Sequence, residues 1–261
     1  EASGGGYVVV FDDVTRLVAA QRSAAWGEVA RRLAHEIKNP LTPIQLSAER
    51  LQMKLADKLA NGDVDFLNRG TQTIINQVQA MKRMVDDFRD YARLPAPEVA
   101  PLDLNDLIGE VLGLYENSSA EVAVRLADGL PLVLGDATQM RQIIHNLLRN
   151  AEDAQEDRDH AHIEIGTRVI GDRAELFVAD AGPGFPPEII ARVFEPYVTT
   201  KAKGTGLGLA IVKKIVDEHH GNIDITNRPQ GGAQVSIRLP LSPRQPEQVQ
   251  AKVANGTHPG R

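Results

Sequence analysis

Apolar residues recur at helical spacing in two consecutive stretches of this 261-residue chain, and this periodicity restricts its fold more than any other feature. At 100° per residue the first series forms one stripe. It comprises Val29, Leu33, Ile37, Leu41, Ile44, Ala48, Leu51 and Leu55. The second series has the spacing of a coiled coil. It comprises Leu67, Ile74, Val78, Met81, Val85, Phe88 and Ala92. The sequence predicts a helix to about Leu59, a break at Asn61-Gly62-Asp63 and a second helix to about Leu94.

A hairpin of two such helices, assigned to residues 16–94, has a narrow apolar seam. It buries too little surface to be stable alone. Two copies that pair as a four-helix bundle solve this problem. The pattern therefore predicts a homodimer formed through the hairpin.

His35 lies on the first predicted helix and faces away from the apolar stripe, toward solvent or another domain. A solitary histidine on a helix is usually an ordinary surface side chain. Here Glu36 adjoins it, and Asn39 follows one turn later on the same face. Pro40 lacks the N–H that would bond the carbonyl of Glu36, which predicts a local bend beside the histidine. These neighbours favour a chemical role for His35.

The second half of the chain begins with a proline-rich segment, residues 95–101, which predicts a linker and a hinge. Residues 102–241 then alternate between helical and strand patterns. Helices are expected near 104–116, 138–155 and 206–219, and strands near 122–126, 132–135, 162–170, 173–179, 221–227 and 232–239. This order predicts an α/β sandwich of a mixed sheet against helices, so the whole chain is α+β. Residues 242–261 are typical of a disordered polar tail.

Three polar segments of this second half have the chemistry of a nucleotide site. Asn146 and Asn150 share one helix face, and an amide oxygen suits Mg²⁺, although two such asparagines are more often surface residues. Asp180-Ala181-Gly182-Pro183-Gly184-Phe185 follows an apolar strand, but this pattern alone is a common turn. Gly204-Thr205-Gly206-Leu207-Gly208 precedes a helix, whose first N–H groups and positive end favour a triphosphate. A dinucleotide-binding fold is disfavoured, because a polar segment and not a first strand precedes these glycines.

The run from Trp26 to Leu51, which contains His35-Glu36-Ile37-Lys38-Asn39-Pro40, resembles the phosphoacceptor segment of sensor histidine kinases of two-component signalling, most of all the nitrogen-regulation kinases. The later motifs, in their order and spacing, resemble the GHKL (Bergerat-type) ATP-binding module that these kinases share with Hsp90, gyrase and MutL. The resemblance implies autophosphorylation of His35 from ATP and Mg²⁺. It further implies transfer to an aspartate of a response regulator, and phosphatase activity toward that regulator.

The resemblance also assigns roles on the hairpin. Glu36 would hydrogen-bond the imidazole nitrogen of His35 that does not attack, and so set its tautomer. Asn39 would orient the water that dephosphorylates the regulator. Phosphorylation could occur within one chain or between the two chains of a dimer. This depends on the handedness of the turn near residues 61–63, and both alternatives stay open.

In the nucleotide module, Asn150 would bind Mg²⁺ and Asn146 would meet the phosphates or an ordered water. Asp180 would accept the adenine amino group, and a carboxylate there disfavours guanine. Gly182 and Gly184 would let the backbone approach the base. Phe194 would begin a mobile lid as a packing anchor. The remaining candidates are Lys201 or Lys203, which either reach a phosphate or stay solvated, and the phosphate-binding set Gly204, Thr205, Gly206, Leu207 and Gly208.

Two other functions compete with the kinase. ATPase clamps of the same superfamily carry a glutamate general base four residues before the magnesium asparagine. Asn146 occupies that position here and cannot take a proton from water. A dimeric scaffold that binds nucleotide without transfer would show damage to His35, Glu36, Asn150 or the glycine-rich loop, and none is evident.

Composition restricts the partners. The net charge is −6 with no long basic run, which argues against nucleic acid and anionic membrane surfaces. The chain has no cysteine, so disulfides, thiolate metal sites and thiol catalysis are excluded. The other histidines lack metal-ligand spacing, and no zinc site is expected. His219-His220 is expected to compensate a helix dipole.

Residues 7–15 read as a short strand that ends in a polar turn, similar to the last strand of a PAS sensor domain; residues 1–15 are therefore assigned to a preceding domain. For residues 1–6 a disordered end fits equally well. No apolar stretch of about 18 residues is present. The expectation is a soluble cytoplasmic portion of a bacterial protein whose membrane anchor precedes Glu1, as in the kinases it resembles.

Overall fold

A computed structural model describes residues 15–92, 94–115, 121–155, 161–201 and 204–243. Its contacts divide the chain into two compact units: Glu1–Pro95 with Val193–Ile211, and Ala96–Arg192 with Val212–Arg261. The strand predicted at residues 7–15 lies outside the described residues except at Thr15, where the first helix begins. Residues 244–261 of the predicted tail are outside them as well.

The first unit contains the predicted helical hairpin. Helix α1 spans Thr15–Leu55, a short 3-10 helix spans Ala56–Lys58, and helix α2 spans Asn61–Ala92. The seam between α1 and α2 repeats every seven residues, which is the coiled-coil period. Its buried residues are Gly27, Ala30, Ala34, Leu41 and Ala48 in α1 and Thr71, Ile75, Val78, Val85 and Ala92 in α2. The small residues of α1 allow the two helix backbones to approach closely.

The seam differs from the stripe that periodicity predicts for α1. Of that stripe, only Leu41 and Ala48 are buried in the single chain. Its large residues Val29, Leu33, Ile37, Ile44 and Leu51 are 41% to 50% exposed. The physical reason is that the small residues on the neighbouring face fit against α2, so the large ones remain outside the hairpin.

Polar side chains on both helices hold the hairpin in register. The ammonium of Lys38 forms an ion pair with Asp86. Lys82 Nζ donates to Gln45 Oε1 at 2.8 Å. Farther along, Gln52 Nε2 donates to Asn68 Oδ1 at 3.3 Å.

The break between the helices lies earlier than predicted. Residues Asn61-Gly62-Asp63 form the first turn of α2, and the chain is extended at Leu59, with φ −102° and ψ 154°. Asp63 N and Val64 N both donate to Ala60 O, at 2.9 and 3.0 Å. A carboxylate in a first helical turn is favourable because the N-terminal end of a helix is positive. Asp63 therefore starts a helix where glycine and asparagine by themselves predict a break.

The second unit contains a five-stranded sheet and a separate two-stranded pair. The strands are β1 Ala100–Leu102, β2 Glu121–Arg125, β3 Val133–Gly135, β4 His162–Ile170, β5 Arg173–Asp180, β6 Asn222–Asn227 and β7 Ala233–Pro240. The sheet order is β2-β4-β5-β7-β6. Only the β2–β4 pair is parallel among these, and the mixed sheet confirms the predicted sandwich.

The helices within residues 96–243 are α3 Leu104–Gly113, α4 Ala137–Asp153, the short α5 Pro187–Ile190 and α6 Gly208–Glu218. Helix α4 contacts strands β4 and β5 on one face of the sheet. Helix α4 buries an apolar stripe that includes Met140, Ile143, Ile144, Leu147 and Leu148. The sheet supplies alternate residues such as Ile165, Leu176 and Ile237, all fully buried. This alternation is typical of a sheet with one covered face.

On the other face of the sheet, the Glu175 carboxylate is fully buried between two arginines. Arg168 Nε donates to its Oε1 at 2.8 Å, and Arg238 Nε donates to its Oε2 at 2.9 Å. The Arg168 guanidinium also lies 5.5 Å from the centre of the Phe177 ring. A charge this deeply buried is tolerated only when it is paired.

The predicted linker at residues 95–101 is partly ordered into the second unit. Ala100 and Pro101 belong to β1, which pairs antiparallel with β3. Glu98 N donates to Asp136 Oδ2 at 2.9 Å. Along the chain, the boundary between the two units falls between Pro95 and Ala96. Proline suits β1 because this strand pairs on one side only, so a missing N–H leaves no ladder bond broken.

None of the helices in the described part of the chain combines the length and the apolar character needed to cross a bilayer.

Candidate functional site

His35 is exposed on α1, and its neighbour Ala34 is buried. Glu36 is engaged by the preceding turn: Arg32 Nε lies 3.1 Å from Glu36 Oε1. The predicted hydrogen bond from the imidazole to Glu36 therefore stays a prediction. The structure places the accessible imidazole of His35 beside the Glu36 carboxylate, which is paired with the exposed Arg32.

Helix α1 continues through Pro40 and Pro43. Neither proline has an N–H, so the carbonyls of Glu36 and Asn39 receive no helical hydrogen bond. The exposed Asn39 side chain lies on this turn. The backbone next to His35 thus has two polar acceptors in addition to its side chains.

Helix α4 carries its two asparagines on one half-buried polar face, beside the buried Ile143, Leu147 and Ala151. Asn146 Nδ2 donates to Gln142 O at 3.0 Å, a bond to the preceding turn. Asn150 lies one turn further along the same face. An amide oxygen is a hard neutral donor, and Mg²⁺ bound to a nucleotide takes few ligands from the protein, so Asn150 fits this ion.

The start of α4 is fixed by Asp136. Its Oδ1 accepts hydrogen bonds from Thr138 N at 2.8 Å and Gln139 N at 3.1 Å, and its Oδ2 accepts one from Glu98 N. Burial acts to raise the pKa of Asp136 and is the largest single influence. The three backbone N–H groups stabilise the carboxylate and lower its pKa overall. The cap therefore links the residues before β1 to the helix that carries Asn146 and Asn150.

His219 is buried at the end of α6 and contacts two backbone groups. It is 2% exposed, its Nε2 accepts a hydrogen bond from Asp136 N at 2.9 Å, and its Nδ1 lies 2.8 Å from Ile215 O. One ring nitrogen thus meets the N–H of Asp136 and the other meets a carbonyl of the last turn of α6, so His219 ties the end of α6 to the start of α4. Compensation of the helix dipole by His219-His220 stays a prediction. His220, at φ 54°, ends the helix in the left-handed conformation.

Asp180 ends β5 and is 9% exposed. Its Oδ1 accepts hydrogen bonds from Gly182 N at 2.8 Å and Ala233 N at 3.3 Å. A Cβ atom on Gly182 would lie 2.8 Å from Ala154 O, just past the end of α4. Glycine at this position thus allows the loop after β5 to lie against the α4 terminus, whether or not a base is bound.

Sequence reasoning did not predict that the β6–β7 turn holds the loop after β5. Asn227 Oδ1 accepts from Phe185 N and Asn227 Nδ2 donates to Phe185 O, both at 2.8 Å. A Cβ atom on Gly232, at φ +87°, would lie 2.0 Å from Asp180 O. The Gly231-Gly232 pair between two apolar strands does indicate a turn. Its contact with a loop more than forty residues earlier depends on the tertiary fold.

The predicted lid segment lies in the first unit. Phe194 is half-buried, and Tyr197 N donates to Gly206 O at 3.0 Å. A Cβ atom on Gly206, at φ +67°, would lie 2.6 Å from the Tyr197 carbonyl carbon, so glycine is required here.

Thr205 links the lid segment to the hairpin, because its Oγ1 donates to Asp87 Oδ2 of α2 at 2.7 Å. Lys201 is half-buried, and Lys203 lies outside the described residues. Leu207 is fully buried, and α6 begins at Gly208, which confirms the predicted glycine-rich entry into a helix.

Two family models match the chain. Residues 25–97 match the His Kinase A (phospho-acceptor) domain, and residues 135–243 match the histidine kinase-, DNA gyrase B- and HSP90-like ATPase. The nitrogen regulation protein NtrY of Azorhizobium caulinodans is 42% identical over 90% of the chain. The alignment covers 31% of that relative, so the chain spans about a third of its length.

Solved structures are similar over both units. Full-length ShkA in complex with AMPPNP has a TM-score of 0.61 at 27% identity, over 82% of this chain and 46% of that one. The histidine kinase ThkA in complex with the response regulator TrrA has a TM-score of 0.60 at 28% identity, over 88% of this chain and 68% of that one. With the two domain matches covering most of the sequence, and with His35 and Asp180 placed as described, the chain belongs to the sensor histidine kinase family.

Proposed function

We propose that this chain is the catalytic core of a sensor histidine kinase, which phosphorylates its own His35 from ATP and passes the phosphoryl group to an aspartate of a response regulator. One observation carries the proposal. His35 is exposed within a matched phosphoacceptor domain, on the same chain as an ATPase-type domain in which backbone N–H groups fix the Asp180 carboxylate.

The chemical step requires a neutral imidazole at His35. One ring nitrogen forms a bond to the γ-phosphorus of ATP, the bond from that phosphorus to the β,γ-bridging oxygen breaks, and ADP leaves. Glu36 accepts a hydrogen bond from the other ring nitrogen and stabilises the positive charge that develops on the ring. Glu36 must therefore release its ion pair with Arg32 before it accepts this hydrogen bond from His35. Most of the rate enhancement should come from positioning and charge stabilisation.

In this proposal the predicted catalytic domain, residues 102–241, binds the nucleotide. Asp180 accepts a hydrogen bond from the adenine amino group, and Asn146 contacts the phosphates or an ordered water. Asn150 would hold Mg²⁺, which would neutralise part of the charge on the phosphates. Backbone N–H groups of residues 204–208 and the start of α6 bind the triphosphate, with Lys201 or Lys203 as a further cation.

The hairpin also supports dimerisation. Val29, Leu33, Ile37, Ile44 and Leu51 remain exposed in the single chain, although their spacing is that of a helix interface. An exposed apolar stripe of this length marks an interaction surface. Pairing two hairpins as a four-helix bundle covers it, and we propose that the kinase is a homodimer.

The resemblance to NtrY extends the proposal to the partner and the setting. The regulator would be NtrX-like and the signalling nitrogen-related, with the chain as the cytoplasmic portion of a bacterial protein anchored in the inner membrane. The ThkA–TrrA complex supports a regulator docked on a kinase of this architecture. Asn39 on the turn after His35 would direct water at the phospho-aspartate, which makes the protein a phosphatase as well.

A hydrolytic ATPase clamp is the second candidate, and the site argues against it. That activity needs a general base near the position of Asn146, where the structure has an amide that donates to Gln142 O. An amide does not take a proton from water at neutral pH.

Incubation of the wild-type chain and His35→Gln with γ-labelled ATP and Mg²⁺ tests the proposal. Label on the wild type should be acid-labile and base-stable, as a phosphoramidate is, and His35→Gln should bind ATP but carry no label. His162→Gln, which changes another exposed histidine, is the matched control and should label normally. Wild-type labelling of His35→Gln would remove the proposed phosphoacceptor, and stoichiometric ATP hydrolysis without label would favour the clamp.

A further inference from the structure

We infer that Asn227 is a positioning residue for nucleotide selection: its side-chain amide holds the loop after β5 so that Asp180 discriminates adenine from other bases. The inference rests on the proposed ATP-binding function and adds a residue and a specificity to it. Asn227 ends β6, outside the motifs that identify the nucleotide site in the sequence. It acts through the loop and does not itself touch the base.

The geometry is that of a two-point clamp. Asn227 Oδ1 accepts from the N–H of Phe185 and Asn227 Nδ2 donates to its C=O, each at 2.8 Å. The amide thereby satisfies both backbone polar groups of one residue, as a neighbouring strand would. Phe185 closes the segment that Asp180 opens. A side chain that fixes Phe185 therefore fixes the far end of this loop.

The near end is held by the turn that follows Asn227. Ala233 N donates to Asp180 Oδ1 at 3.3 Å, and Arg228 Nη1 lies 3.4 Å from Asp180 O. Arg228 Nη2 also lies 3.5 Å from Glu164 Oε2, which limits where its guanidinium can move. The β6–β7 turn thus contacts both the backbone and the carboxylate of Asp180.

Glycines make this contact close. Gly184 has φ +75°, and a Cβ atom there would lie 2.7 Å from Asn227 Oδ1. A Cβ on Gly232 would lie 2.0 Å from Asp180 O. The backbone at Gly184 and Gly232 can lie this close to Asn227 and Asp180 only because glycine has no Cβ atom. Glycine also makes a free backbone flexible, so the loop needs a restraint. The two hydrogen bonds of Asn227 thus restrain a loop whose glycines alone would leave its backbone flexible.

A fixed carboxylate matters for selectivity more than for phosphate binding. Asp180 can accept a hydrogen bond from the 6-amino group of adenine, whereas a 6-carbonyl at that place meets an acceptor and repels it. The discrimination depends on the carboxylate staying within hydrogen-bond distance and direction. If the loop is released, the favourable bond to adenine weakens, while contacts to the triphosphate are unaffected.

The test compares ATP with inosine triphosphate, which carries a carbonyl in place of the 6-amino group. Their Kd values are measured by calorimetry with Mg²⁺ for the wild type, Asn227→Ala and Asn227→Asp. Asn222→Ala, which changes an exposed asparagine at the other end of β6, is the matched control. Asn227→Asp keeps an acceptor for Phe185 N but loses the donor to Phe185 O.

Asn227→Ala should weaken ATP binding roughly tenfold, about the effect of one lost hydrogen bond, and leave inosine triphosphate unchanged. The preference for ATP should therefore fall roughly tenfold. The preference of Asn227→Asp for ATP should lie between those of the wild type and Asn227→Ala. The preference of Asn222→Ala should equal that of the wild type. Amide hydrogen exchange at Phe185, measured without nucleotide, should be faster in Asn227→Ala than in Asn222→Ala.

Two results would overturn the inference while the proposed function stands. In one, the wild type prefers ATP and Asn227→Ala loses affinity for both nucleotides equally, which indicates a general structural role. In the other, the preference is unchanged although exchange at Phe185 is faster. A wild type that binds neither nucleotide would instead remove the proposed function and the inference with it.

Discussion

Arg32 and Glu36 form an ion pair across one turn of α1, with Arg32 Nε 3.1 Å from Glu36 Oε1, immediately beside His35. Both side chains are largely exposed, at 80% and 59%. An exposed pair of this kind is weak and readily exchanged. Glu36 can therefore leave Arg32 for the imidazole without a large loss of stability, which gives the first prediction.

Glu36→Ala should reduce autophosphorylation by on the order of 10²–10⁴, the range for a positioned acid–base group. Arg32→Ala should change the rate by less than about threefold, because an exposed ion pair contributes little. Single-turnover labelling with saturating ATP measures both rates. Glu28→Ala breaks the equivalent Arg31–Glu28 pair on the same helix and is the control. Equal losses in Arg32→Ala and Glu36→Ala would show that the pair acts as a unit.

Asn39→Ala should keep most autophosphorylation and lose dephosphorylation of the regulator. The reason is that Asn39 lies one turn from His35, where water can reach a docked phospho-aspartate. The two reactions are measured separately, with ATP and the kinase alone, then with phospho-regulator, Mg²⁺ and ADP. If both fall together while circular dichroism is unchanged, Asn39 serves the geometry of His35 instead.

Asn150→Ala should weaken Mg²⁺–ATP binding and leave the proposed dimer intact, because it removes the proposed metal ligand on α4 and no residue of the hairpin. Calorimetry with and without Mg²⁺ and sedimentation measure the two properties. Asn222→Ala, an exposed asparagine of the same unit, is the control. Unchanged affinity for Mg²⁺–ATP would make Asn150 an ordinary half-buried helix residue.

Asp136→Ala should destabilise the second unit at neutral pH, typically by about 1 kcal/mol for a lost helix cap. The pKa of Asp136 is lowered below 3.8 in the fold. The carboxylate therefore contributes its full stability above the unfolded-state pKa, and this contribution is lost as the pH falls through the lower folded-state value. Urea unfolding at pH 7 and at about pH 3 measures the difference between variant and wild type. A difference that grows on acidification would contradict the prediction.

Replacing both Arg168 and Arg238 by alanine should destabilise the protein by about 3–5 kcal/mol, because the fully buried Glu175 carboxylate is left without its ion pairs. Either single variant should lose less than half of that, since one arginine remains. Urea unfolding of the wild type, the two single variants and the double variant gives the coupling free energy between the two arginines. Arg141→Ala, which breaks an exposed pair with Glu110, should be nearly neutral. Additive single effects would show that the arginines contribute independently.

Local sequence predicted the elements and motifs well, and failed where a choice between faces or partners was needed. The strand at His162–Ile170 has the predicted bounds, because a β-hairpin of apolar and β-branched residues is specified within a few positions. Only part of the α1 stripe lies in the hairpin seam, since a period of 3.6 shows that a helix is amphipathic and not which neighbour it meets first. Ala30 and Ala34 give a weak apolar signal, yet their small size is what allows α2 to pack there.

The sequence by itself determined the two helices, the sheet and the order of the kinase motifs, because periodicity, caps and glycine-rich turns act over one or two turns of chain. Only the tertiary structure decided that Asn227 clamps Phe185, 42 residues earlier, and that His219 is a buried acceptor for Asp136 N. Each is a hydrogen bond between segments distant in sequence, and the side chain alone does not specify its partner. The partner is set when the sheet brings the end of β6 beside the loop after β5, and the end of α6 beside the start of α4.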